Sequence, residues 1–84
     1  MEIKLFYKSQ VEIADIINEL IDRYWENNID EPLLIDNINK LYDNNRTKIL
    51  KDEEFTTVVR QKCGKRRIEV VARILKLSGK IDIG

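Results

Sequence analysis

Apolar residues along this chain recur mostly at spacings of three and four, the period of an amphipathic helix. Ile13, Ile16, Ile17, Leu20, Ile21 and Tyr24 form the first such stripe, with Glu12, Asp15, Glu19, Asp22 and Glu26 interleaved on the outer side. Ser9 precedes the stripe and Glu12 lies three residues further on, a capping-box pattern. A helix is therefore predicted over 10–27, stopped by Asn27-Asn28. Leu34, Ile35, Ile38, Leu41 and Tyr42 make a second stripe, which Asp30 is placed to cap and Asn44-Asn45 to break. Pro32 is tolerated in the first turn of that helix. The short gap between the two helices predicts an antiparallel α-hairpin.

The first residues read differently. Ile3, Leu5 and Tyr7 alternate with Lys4, Phe6 and Lys8, which predicts a short strand. Residues 46–51 read as a basic connector anchored by Ile49-Leu50. Asp52 is then expected to cap a third helix, with Glu53 and Glu54 in its positive first turn and Arg60 and Lys62 in its negative last turn. Phe55, Val58 and Val59 would face the core. Gly64 is expected just past the end of that helix, in a left-handed conformation that costs glycine little. A fourth helix follows over 65–77, with Ile68, Val71, Ala72 and Leu75 on one face and Val70, Ile74 and Leu77 beside it. Glu69 and Arg73 stand four apart in the favourable order. Ser78-Gly79 stops this helix, and 81–84 read as a tail with a short strand.

The pattern thus predicts one mainly α-helical domain over 1–84, with three or four helices, a short N-terminal strand and a helix-turn-helix-like corner. A competing reading stays open. Residues 56–62 and 66–72 are rich in Thr, Val and Ile, and as two strands joined at Cys63-Gly64 they would make 56–72 the β-hairpin of a winged helix. The helical reading is preferred because the charges match helix ends.

Composition narrows the class. An 84-residue chain buries a modest fraction of its surface, so its stability margin is thin and a homo-oligomer is a fair expectation. The single cysteine, Cys63, precludes an internal disulfide and fits a reducing cytoplasm. Neither a secretory leader nor a membrane span is expected, because charged residues interrupt every apolar run. Thirteen Ile, nine Lys and seven Asn are residue types of AT-rich codons, pointing to a low-GC bacterium or its mobile elements. With no histidine and one cysteine, the usual zinc sites and the Ser-His and Cys-His nucleophile pairs are excluded. No glycine-rich phosphate loop is present, since the chain has three glycines. The expectation is a non-enzyme without cofactor, metal or small-molecule substrate.

Charge changes the picture most. The formal net charge is zero, yet residues 1–45 carry four Lys/Arg against ten Asp/Glu, and residues 46–84 carry eleven against five. The cations concentrate in Arg60-Gln61-Lys62-Cys63-Gly64-Lys65-Arg66-Arg67. Such an asymmetry predicts one face that attracts a polyanion and one that repels it. In the helix-turn-helix reading Lys65, Arg66 and Arg67 open the helix that enters the major groove, and Arg73 and Lys76 extend the basic side. Arginine can grip phosphate or guanine at two points. Arg60, Lys62, Lys65, Arg66, Arg67 and Arg73 are the candidate DNA contacts, with Gln61, Thr56 and Thr57 as neutral ones. The fit is incomplete: Arg60 stands where a small residue normally packs, and Lys65 where an apolar one does. The alternative is a protein-interaction module or inhibitor whose working face is the acidic pair of helices. That acidic half is also suited to dock on the basic half of a second copy. Trp25 reads as a core-edge aromatic or a partner anchor. Cys63 reads as a buried structural thiol, or as one of lowered pKa beside Lys62 and Lys65.

The run Phe55, Val58, Gln61, Cys63, Gly64 and Arg67, with the Phe6-Tyr7-Lys8 start and the Tyr24-Trp25 pair, resembles a family of small proteins of clostridia and their relatives. Members are carried on plasmids and prophages. More distantly, the chain is similar in size and layout to TcpK, a winged-helix accessory protein that binds the transfer origin of a clostridial conjugative plasmid. The resemblance implies DNA binding in a relaxosome-like complex, and the hairpin version of 56–72. It transfers no site residues.

Overall fold

Helix α1 (Gln10–Trp25) and helix α2 (Glu31–Asn44) begin where their caps dictate. Ser9 Oγ accepts the Glu12 amide at 3.2 Å, and Asp30 Oδ1 accepts the Leu33 amide at 3.0 Å. Each cap satisfies a first-turn N–H that has no partner inside its helix. A computed structural model describes residues 3–81 of the chain. After α2 come the one-turn helix α3 (Arg46–Ile49), an antiparallel hairpin of β1 (Leu50–Lys51) and β2 (Glu54–Phe55), and the long helix α4 (Thr57–Leu77), which bends at Gly64. The mainly α reading holds, with four helices. Residues 56–72 are helical and do not form the alternative hairpin.

α1, α2 and α4 pack against one another around a core that includes Ile13, Ile17, Leu20, Ile21, Leu34, Ile38, Leu41, Val59, Val71 and Leu75. These are the stripe positions, so the helical period placed most of the core correctly. Asn37 is buried on the same face of α2, and a hydropathy stripe cannot announce a polar member. Among the described residues no helix is long and apolar enough to cross a membrane.

Two expected elements differ. Residues 3–8 form no strand. Instead the Tyr7 amide donates to Asn45 Oδ1 at 3.1 Å, and Asn45 Nδ2 donates to the Leu5 and Leu41 carbonyls at 2.7 and 3.0 Å. A side chain at the end of α2 thus takes the place of a partner strand. The expected tail strand over 81–84 lies, beyond Ile81, outside the described residues.

Asp52 does not cap a helix. Asp52 and Glu53 form the two-residue loop of the hairpin, whose register pairs Leu50 with Phe55 and Lys51 with Glu54. Phe55 is therefore on β2, and α4 begins only after Thr56. The cause is the apolar anchor. Ile49 is fully buried, and Leu50 and Phe55 pack against the core opposite each other, so the chain must turn back within two residues. Thr56 closes the turn, its amide donating to the Ile49 carbonyl at 2.9 Å and its hydroxyl to the Lys48 carbonyl at 2.7 Å.

The loop pays a conformational penalty, because Asp52 (φ 53°) and Glu53 (φ 68°) both lie in the left-handed region. Two-residue hairpins of this twist favour Asn-Gly, which reaches positive φ with less strain. Asp52→Asn with Glu53→Gly is expected to stabilise the protein by about 1 kcal/mol, read as a higher urea midpoint. An unchanged or lower midpoint would show that the turn carries no removable strain.

Candidate nucleic-acid interface

Gly64 divides α4 into two helical halves. Its φ of 78° and ψ of 167° lie in a region that is essentially confined to glycine. Positive φ was foreseen, but the backbone there is extended rather than left-handed helical. A break of this kind deprives the carbonyls before it of helical donors. Two side chains supply replacements: Asn18 Nδ2 of α1 donates to the Lys62 carbonyl at 3.0 Å, and Arg67 Nη1 donates to the Cys63 carbonyl at 3.3 Å.

The six candidate cations divide into three sets. Lys62 and Arg67 are held by the acidic edge of α1. Lys62 Nζ lies 2.9 Å from Asp15 Oδ1. Arg67 gives Asp22 Oδ1 two hydrogen bonds, at 3.0 Å from Nε and 2.6 Å from Nη2. Both pairs are partly exposed, so each adds only modest stability, but together with Asn18 they fix α1 against the bend of α4. Asp15, Asn18 and Asp22 are spaced three and four apart and so share one side of α1. Part of the charge split along the chain is thus an internal fastening between two helices.

Arg60 and Gln61 are exposed on the first half of α4. Arg60 lines an open polar notch with Lys51, Asp52 and Glu54 of the hairpin, where carboxylates temper its field. The acidic hairpin tip is a poor match for a DNA-binding wing.

Lys65, Arg66 and Arg73 form the third set, on the second half of α4. Arg66, Glu69, Arg73 and Lys76 are spaced three, four and three apart, and so lie along one side of the helix, with Lys65 next to Glu69. All five are exposed. Among the described residues none of the four cations forms an ion pair. The Glu69–Arg73 pair expected from spacing does not close. The outcome is a ridge with four free cations and one carboxylate, opening at the bend and running toward the end of α4.

Trp25 stands at the edge of the ridge. The Arg66 and Arg67 guanidinium carbons lie 5.6 and 5.5 Å from its ring centre, within cation–π range. Its packing at a core edge agrees with the plainer of its two readings, although 43% of it stays exposed. Cys63 is buried, and burial pushes its thiol up to about 11 against the smaller opposing pull of Arg67. The lowered pKa considered from the neighbouring lysines does not arise, because desolvation outweighs them.

Sequence reasoning thus gathered Lys65, Arg66 and Arg73 correctly and misassigned Lys62 and Arg67, whose roles are structural. A signal was present: carboxylates seven apart on α1 and cations five apart across a glycine invite pairing. Nothing in the sequence pointed to Asn18.

No curated protein and no solved structure matches the chain. Residues 4–76 match the model of a family described as conserved hypothetical protein and named after a clostridial locus. That match runs from the amino-terminal segment through the bend to the end of the basic ridge, and the chain belongs to this clostridially named family of conserved hypothetical proteins.

Proposed function

We propose that the protein binds duplex DNA through the outer ridge of the second half of α4, as a small accessory or regulatory protein of a bacterial mobile element. The observation that carries this reading is the ridge itself: Lys65, Arg66, Arg73 and Lys76 on one exposed side of a helix, free of internal ion pairs among the described residues. A helix presenting unpaired cations to solvent suits a phosphate backbone, and the two arginines can also grip guanine at two points. Arg60 and Gln61, on the far side of the bend, are peripheral contacts. Lys62 and Arg67 serve the fold. The setting in plasmid conjugation rests on the sequence resemblance alone.

The alternative of an interaction module working through the acidic helices has less support. Asp15, Glu19, Asp22, Asp36 and Asp43 of those helices each pair with a cation of this chain.

Four phosphate contacts give log affinity a slope of about −3.6 against log salt, whereas the six cations named from sequence give a slope of about −5. Fluorescence anisotropy of labelled duplex at several salt concentrations measures it. Salt-independent binding would refute the ridge as the contact surface.

A further inference from the structure

Beside the ridge, α1, α2 and α4 leave an apolar groove of about 240 Å³ lined by residues including Tyr24, Trp25, Leu34, Ile35, Ile74 and Leu77. Leu77 was expected beside the core, but it is 80% exposed, the highest value among the large apolar residues of the described chain. The reason is that α4 outruns the helices it packs on, and Leu77 is its last residue. A projecting leucine next to an apolar groove gives one patch both a knob and a hole.

The lips of the groove carry opposite charges. Glu31, the first residue of α2, lies on one side, and Arg73 of α4 on the other. Neither forms an ion pair among the described residues. A partner of one charge sign would meet repulsion at one lip. A second copy of this chain, related by a two-fold axis through the patch, brings each Arg73 to the other copy's Glu31 and each Leu77 to the other's groove. Self-complementarity of this kind is what an isologous contact requires. An 84-residue domain with a small core also gains most from covering such a patch.

We infer that the protein forms a two-fold symmetric homodimer through this groove, with Leu77 and Trp25 as apolar anchors and two reciprocal Arg73–Glu31 pairs at the rim. This differs from the acidic-on-basic docking of copies that the charge split alone invites. It does not rest on the DNA reading: Lys65 and Lys76 stand outside the groove lining, so separate variants probe the two surfaces.

Sedimentation velocity over a range of concentrations up to about 500 μM tests the inference, with a micromolar dissociation constant expected for an interface of modest size. Leu77→Asp is expected to weaken the dimer more than about 10-fold, and its exposure means no core contact is lost. Arg73→Glu and Glu31→Lys are each expected to weaken it, and the two together to bring the constant back within about 3-fold of wild type. The double variant keeps the test decisive if a single variant folds poorly. A monomer at every concentration overturns the inference, as does a dimer indifferent to Leu77→Asp or a charge swap without rescue.

Discussion

Reversing Lys65 and Arg66 together to glutamate is expected to reduce duplex binding by more than about 100-fold at low salt and to flatten its salt dependence. The reason is arithmetic on the ridge. Four free cations and one carboxylate become two cations and three carboxylates, so the surface changes from attracting a polyanion to repelling it. Both side chains are exposed and neither takes part in an ion pair, so the fold loses only the contact of Arg66 with the Trp25 ring. Anisotropy titration of wild type and variant, alongside circular dichroism, separates lost binding from lost folding. Lys62→Ala supplies the contrast. Lys62 is engaged by Asp15, and its removal is expected to change affinity less than about 3-fold. If Lys62→Ala proved as damaging as the double reversal, the division of cations into structural and free sets would be wrong.

Replacing Gly64 with alanine is expected to lower stability by about 1–3 kcal/mol, the cost of forcing a side-chain-bearing residue into that backbone region. An added methyl group at Gly64 would meet nothing within 4 Å, so the whole effect is torsional. The chain has one escape, which is to straighten α4 into a continuous helix, a state that alanine favours. Straightening would draw Lys62 and Arg67 away from Asp15 and Asp22 and swing the ridge relative to α1. For a domain of this size each kcal/mol moves the melting temperature by about 4–8 °C, well within reach of thermal unfolding. A variant that melts with wild type would show that the bend is incidental.

Where sequence and structure agree, the cause is local. Ser9 and Asp30 cap the helices they precede because a short oxygen-bearing side chain next to a first turn has few competing uses. Gly64 takes positive φ because that freedom is intrinsic to glycine. The disagreements arise where a contact distant in sequence outbids a local preference. Asp52 has the chemistry of a helix cap, but the burial of Ile49, Leu50 and Phe55 folds that segment into a hairpin first. Ile3 to Lys8 alternate like a strand, but no strand edge lies beside them and Asn45 binds their backbone instead. The candidate site followed the same rule. Its cations were visible in the sequence, but whether a given lysine faces solvent or a carboxylate on another helix depends on how α1 crosses α4, and periodicity does not encode that crossing.

Asn45 carries one further consequence. Its oxygen accepts one hydrogen bond and its nitrogen gives two, all to backbone groups, two of them on the amino-terminal segment. Aspartate has the acceptor without the hydrogens, and leucine has the shape without either, so no near-isostere reproduces the set. Any homologue with another amino acid at this position must tether its first residues by a different route or leave them loose, which makes the identity of that single amide a marker for which relatives share this arrangement.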